Sequence, residues 1–347
     1  MRKRTSIPLL IVILLLAVLG VFLYLRTKAP PEAARLLPES DAILFVHLAA
    51  IRSATHFDDA PVQRSPYFQH FIDVTGIVPE RDLDSVAFAL HRMPDPTGPN
   101  GPVAYSEVFV GHFDGVKLAS YLASIATSQE SYTGRTIYTI PVGGPPPRQL
   151  RVALLAYDTL AASNMPTAEQ IHSMLDRSRA SALSTPGSSL LAARFHQVPL
   201  LSEAWGIGHI GLPFSHDGYI TLLGLQLPLP EDTDLVASLR YTGAAHVLSG
   251  GAVDLRIEEI APTPAAAHST VNTLTAILAI LRGISDGQAQ TQPPTPSAQA
   301  MHAILDSITL TEHNERALLN ATASLDQIKA LATANNPTTT EAPPTSK

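Results

Sequence analysis

Hydrophobic positions fall into three patterns along this chain: one long unbroken run, several short strand-like runs, and stripes with a helical repeat. The unbroken run is Ile7 to Leu25, IPLLIVILLLAVLGVFLYL, nineteen residues without a charge or a strongly polar side chain. At about 1.5 Å per helical residue it covers roughly 28 Å, close to the ~30 Å hydrocarbon core of a bilayer. A cleavable leader has a shorter apolar region followed by small residues, whereas Tyr24, Leu25, Arg26, Thr27 and Lys28 follow here. The expectation is an uncleaved transmembrane signal anchor at 7–25. Arg2, Lys3 and Arg4 hold a cytoplasmic tail, 1–6, on the inner side. Residues 29–347 then lie outside the cytoplasm, on a single-pass protein of the cytoplasmic (inner) membrane.

KAPPEAARLLPES, within 26–40, has the proline punctuation of a linker. DAILFVHLAAIR begins a first α+β unit, 41–184, with a strand. SPYFQHFIDVTG predicts a short helix with Ser65 as cap, Pro66 at its first position and Gly76 as left-handed stop. A turn through Pro79 and Glu80 leads to the strand DSVAFALHR, and AYSEVFVGHF predicts another. Asp114 then caps a helix in which Leu118, Tyr121, Leu122 and Ile125 fall at i, i+3, i+4 and i+7. SYTGRTIYTIPV and RQLRVALLAYDTLAASN predict strands about a GGPPP turn. TAEQIHSMLDRSR closes the unit as a helix with Thr167 and Gln170 in capping-box spacing.

STPG at 184–187 marks the expected boundary, and a second α+β unit, 185–333, echoes the first weakly. SEAWGIGHIG resembles DAILFVHLA, and PEDTDLVASL resembles PERDLDSVAFAL. GGAVDLRIEEIAP predicts a strand, and Thr263 with Pro264 starts a long helix whose Val271, Leu274, Leu278 and Leu281 form a buried stripe. His268, Thr270, Asn272, Thr273 and Thr275 interrupt it, so no second membrane span is expected. The segment 284–297 predicts a flexible insert. SAQAMHAILDSI predicts a helix, TLTEHNERALLNATAS a hairpin, SLDQIKALA a helix capped by Ser324, and 334–347 a disordered tail.

The order LLPESDA, strand, helix ending in VTGI, PERDLD, strand, GHFDGVKLASYL resembles a group of bacterial membrane-anchored proteins of unknown function. The likeness covers most of 36–180 and, more loosely, 199–333. Its motifs are turns and caps, so it implies architecture and no activity. The expected fold class is α+β, with an N-terminal transmembrane helix followed by two related units of mainly antiparallel sheet, helices packed on one face.

Charge and composition narrow the function. Residues 29–347 hold 18 basic against 30 acidic side chains, a net charge of −12. Such a surface repels nucleic acid. There is no cysteine, so no disulfide framework holds an exported fold together and an apolar core must.

Candidate chemistry is sparse. Glu80, Arg81, Asp82 and Asp84 form an acidic cluster, but a calcium loop needs oxygen ligands at alternate positions and a central glycine, and Val86 stands where the next ligand belongs. PEDTD at 230–234 fails similarly. Both are expected to be turns, with Arg81 screening its carboxylate neighbours. None of the thirteen histidines has H-x-H or H-E-x-x-H spacing. His47, His91, His112 and His209 end predicted strands and would converge if those strands were neighbours; otherwise they bond to backbone or water. His216, Asp217 and Gly218 predict a hairpin turn. Without cysteine, a G-x-S-x-G elbow or S-x-x-K, nucleophilic catalysis rests on a triad assembled from distant residues, His112 with Asp114 being its first candidates. GRTIYTIPVGGPPPR lacks a Walker lysine, and its prolines remove the N–H groups that would cradle a phosphate.

No catalytic, cofactor-binding or metal residue is assigned, and no cofactor is expected. The sequence favours a non-catalytic binding or interaction module of the cell envelope, whose partners are the lipid bilayer through 7–25 and another envelope protein or an apolar ligand. The alternative is a membrane-anchored hydrolase with a non-standard site.

Overall fold

The computed structural model describes residues 29–335 apart from 60–61, 63, 99, 144–147, 181–186, 210–218, 223–224, 229–232, 244–250 and 292–294. The expected anchor, the His216 turn and nearly all of the expected tail lie outside the described residues. The chain forms two compact units that divide between Glu231 and Asp232. The boundary expected at 184–187 therefore falls inside the first unit.

That unit begins earlier than expected. Within the expected linker, Glu32–Leu36 is a helix, α1, following Pro31 and carrying Glu32 in its first turn and Arg35 in its last, as the helix dipole favours. Ala33, Ala34, Leu36 and Leu37 are buried, so this segment is core rather than connector. Strand β1 (Ala42–Val46) follows, then α2 (Leu48–Thr55), which stops at His56 in the left-handed conformation. Helix α3 (Pro66–Thr75) has the expected ends: Ser65 Oγ accepts from the Phe68 N–H, and Gly76 sits at φ 74°. The predicted turn at Pro79 is one helical turn, α4 (Pro79–Asp82).

Strands β2 (Leu83–Arg92) and β3 (Val103–Gly111) lead to α5 (Gly115–Ile125), where Asp114 accepts from the N–H groups of Val116 and Lys117. Two hairpins come next, β4 (Ser128–Tyr132) with β5 (Arg135–Val142), and β6 (Arg148–Leu154) with β7 (Thr159–Ser163). Helix α6 (Glu169–Ala180) lacks the expected capping box: Thr167 Oγ1 lies 3.4 Å from Gln170 Oε1 instead. Helix α7 (Ser189–Arg194), capped by Ser188, precedes β8 (Ala204–His209). A two-stranded ribbon, β9 (Tyr219–Leu222) and β10 (Leu225–Pro228), is separate from the main sheet.

The main strands of this unit run in the order β8-β1-β2-β3-β7-β6-β5-β4, every neighbour antiparallel. Register assigns the faces, since directly opposed residues share a side. One face carries Trp205, Phe45, Ala87, Val108, Ala161, Ala153 and Ile137, all buried, and is covered by α1, α6 and α7. On the other, Leu118 and Leu122 of α5 pack on Tyr138, Ile140, Val152 and Ala162. Helices therefore cover both faces, against the expectation of one, because adjacent residues such as Ile137 and Tyr138 are each apolar and need cover on opposite sides.

In the second unit the order is β13-β14-β12-β11, again antiparallel, from β11 (Asp234–Tyr241), β12 (Ala252–Ile260), β13 (Thr309–His313) and β14 (Arg316–Ser324). Helix α8 runs Pro264–Thr291, through most of the predicted flexible insert, and the next described helix is α9 (Pro296–Ser307), capped by Thr295. Ala266, Ala267 and Val271 pack with Ala261 and Ala317. By length and composition alone, Pro264–Gly287 is apolar enough to cross a membrane, where no second span was expected, and only 17% of its apolar stretch is buried. Helix α10 (Leu325–Asn335) ends the described chain. The protein is thus a mixed α+β fold built on a large antiparallel sheet.

Candidate functional site

The acidic cluster is a paired junction rather than a solvated turn. Glu80 Oε2 lies 3.1 Å from Arg64 Nη2, and Asp82 Oδ1 lies 2.7 Å from Arg81 Nε. Asp82 also reaches back to accept from the Val78 N–H at 2.7 Å, closing the first turn of α4. Burial alone would raise its carboxyl, but the Arg81 hydrogen bonds and the Val78 N–H outweigh that and hold it below its ordinary range. Asp84 sits where the register of β2 against β3 shifts between Leu83 and Ser85, and this irregularity aims it at Arg52, 3.2 Å away, and His112, 3.5 Å away. The Asp82 carbonyl accepts from the His112 N–H at 2.8 Å, and a Cβ on Gly111 would stand 2.2 Å from that carbonyl, which explains glycine there.

The strand-end histidines do not converge. His91 and His209 flank the start of β1, where the backbone of Asp41 bonds to Leu90 and to His209, while His47 and His112 belong to the opposite ends of their strands. His112 is paired with Asp84, and Asp114 is spent on the α5 cap, so this proposed start of a triad is not one. Other histidines take carboxylate partners: His268 with Glu312 at 2.8 Å, and His302 with Asp286 at 2.9 Å and Asp306 at 3.0 Å. Among the described residues, no group of three or more His, Asp or Glu could hold a metal ion.

His91 has catalytic spacing without access. Its Nε2 is 3.0 Å from Ser106 Oγ, which is 3.0 Å from Ser163 Oγ. Burial pushes the imidazole down, against the opposing pull of Asp41. Ser106 is 0% exposed, so no substrate reaches it. The trio is a satisfied buried network.

The other sheet face carries a different constellation. Ala162, Glu107, Phe88, Leu44 and Gly206 form one cross-strand row, and Tyr105, Leu90, Ala42 and Gly208 the next. Leu44, in a central strand, remains 38% exposed. Loss of water pushes the Glu107 carboxyl up to about 7. Gly206, Gly208 and Gly211 have G-x-G-x-x-G spacing, which the sequence reading did not note. The first two lie within β8 rather than at a strand-to-helix turn, and a Cβ there would meet Leu44 Cδ2 at 2.6 Å or Ala42 Cβ at 2.5 Å. They serve close packing on β1.

A third constellation was also missed. A shallow cleft of about 480 Å³ runs along the α6 face made by Glu169, His172, Ser173, Asp176, Arg177 and Ala180. Tyr132 of β4 stacks on His172 and lies 2.9 Å from Asp176 through its hydroxyl, while Glu130 lies 3.0 Å from His172 Nε2. Arg177 is held by Glu39, which also accepts from the Ser189 N–H and hydroxyl. These partners are roughly forty residues or more apart in sequence, and no local spacing announces them.

No protein-family model matches the chain, and no curated protein does. Among solved structures, crystal form I of TP0453 is similar at 11% identity and a TM-score of 0.41, covering 88% of this chain and 98% of that one. Crystal form III of TP0453 is similar at 12% identity and a TM-score of 0.42, covering 88% and 99%. That likeness carries no function to this chain.

Proposed function

We propose that this is a non-catalytic binding module of the cell envelope, anchored in the cytoplasmic membrane as a single-pass, N-in protein through Ile7–Leu25, with residues 29–347 outside the cytoplasm. The nineteen-residue uncharged run and the basic residues before it support the anchor. The weak echo of PERDLDSVAFAL in PEDTDLVASL supports descent of the exported part from two related α+β units. The observation that carries the binding role is Leu44. A leucine left partly open in a central strand, within a cross-strand row that is apolar apart from Glu107, is a surface that an apolar ligand or another envelope protein's apolar side chains can cover. The alternative, an anchored hydrolase, is disfavoured by the sealed His91–Ser106 contact.

The test is photo-crosslinking in intact membranes from a reactive side chain placed at position 44, with position 157, where Tyr157 is 83% exposed, as control. A species captured from 44 and absent from 157 supports the role. Capture of the same species from both, or of nothing from 44, removes it, and labelling of the protein by a serine-directed fluorophosphonate favours the hydrolase.

A further inference from the structure

Strand β4 ends the order of the first unit and, among the described residues, pairs with β5 alone. Tyr132 opposes Arg135 across Thr133 at φ 50° and Gly134 at φ 79°, a two-residue hairpin loop. In such a hairpin the flanking pair exchanges hydrogen bonds, and by alternation so do Glu130 with Ile137 and Ser128 with Thr139. The backbone N–H and C=O groups of Gln129 and Ser131 consequently point away from the sheet. The usual guards of an open edge, a lysine or a proline, are absent from SQESY. Its one charged side chain, Glu130, leans onto His172.

The α6 cleft begins at that edge, because His172 and Asp176 both line it and both touch β4 side chains. Glu130 and Tyr132 share the sheet face on which α6 lies, since Glu130 opposes Ile137 and Ile137 opposes Ala153. A strand added outside β4 would turn every second side chain toward the same side as the cleft. What it would meet there is mainly acidic: Glu130, Glu169 and Asp176 stand against Arg179, whose charge reaches Tyr132, while Arg177 is already committed to Glu39.

We propose that β4 is a docking edge for an extended segment of another polypeptide, which pairs with Gln129 and Ser131 and lays basic side chains at alternate positions along the cleft beside α6. Main-chain pairing supplies attachment and the carboxylates supply selection. This rests on the binding-module reading and deepens it with a second surface; capture from position 44 and docking on β4 can fail separately.

The experiment uses the full-length protein in a non-ionic detergent and three fluorescent peptides: one alternating lysine with threonine or valine, one with glutamate in place of lysine, and the lysine peptide N-methylated at alternate residues. Anisotropy should show binding of the first, with both others weaker by about tenfold or more. Glu169→Gln should weaken the lysine peptide several-fold and flatten its salt dependence, whereas Ser131→Ala should leave it unchanged and Ser131→Pro should abolish it. Equal binding of lysine and glutamate peptides, or indifference to N-methylation, overturns the proposal without any variant needing to fold. So does a self-association of the protein that Ser131→Pro abolishes while no peptide binds, for the edge would then pair copies of this chain.

Discussion

Arg52 Nη2 stands 3.2 Å from Asp84 Oδ1, and the same guanidinium donates from Nη1 to the carbonyls of Glu80 at 3.0 Å and Leu83 at 2.9 Å. It fastens α2 to the start of β2 through backbone as well as charge. Arg52→Ala should therefore cost about 1–3 kcal/mol, because two part-buried carbonyls lose a donor. Asp84→Asn should cost less than about 1 kcal/mol, since only partly exposed contacts with Arg52 and His112 are weakened. Urea unfolding of the two variants compares them directly, and equal losses would contradict this account.

Glu107 makes stability depend on pH. Its ordinary value is 4.5 and burial raises it to about 7, so the native state holds the proton after the unfolded chain has released it. The contribution of Glu107 to stability is then greatest below about 4.5, declines as the pH rises to about 7, and stays reduced above that. Glu107→Gln should match the wild type near pH 4 and exceed it near pH 8, by about 1–3 kcal/mol. Melting curves at several pH values check the sign; an offset independent of pH would show that the carboxyl is not desolvated.

Leu122 lies in the core under α5, whereas Val116 in the first turn of the same helix is 78% exposed. Leu122→Ala should cost about 2–5 kcal/mol and Val116→Ala less than about 0.5 kcal/mol. Similar values for the two would mean that α5 presents another face to the sheet.

Ser324 and Gln327 form a reciprocal cap on α10: Ser324 Oγ accepts from the Gln327 N–H at 3.2 Å, and Gln327 Oε1 accepts from the Ser324 N–H at 2.8 Å. Ser324→Ala should cost about 0.5–2 kcal/mol, and Gln327→Ala should add little to it. A double-mutant cycle measures the coupling, and strictly additive losses would contradict the cap.

Helix ends were the most legible part of this fold, because Ser65, Gly76, Asp114 and Ser324 act through partners within three or four residues. Sequence alone hid what depends on distant partners. Pro30, Pro31 and Pro38 disguise α1, whose place is set by burial against strands rather than by propensity. The polar composition of 284–297 predicts a flexible insert, yet helix α8 continues through it as far as Thr291. The acidic cluster could be located but not interpreted, since its cations, Arg52 and Arg64, come from elements earlier in the chain. The β4 edge was invisible for the same reason: SYTGRTIYTIPV predicts strand without saying which strand lies outermost.

If the proposed membrane anchoring holds, the burial of α1 also limits how far the folded part can travel. With the proposed anchor ending at Leu25 and α1 starting at Glu32, six residues, from Arg26 to Pro31, would join lipid to folded protein. Fully stretched at ~3.3–3.6 Å each, they reach about 20–22 Å, less than half the span of the fifteen-residue linker at 26–40. On the proposed anchoring, a partner of this protein would have to come to the membrane surface, because the leash would be too short for the protein to go looking for it.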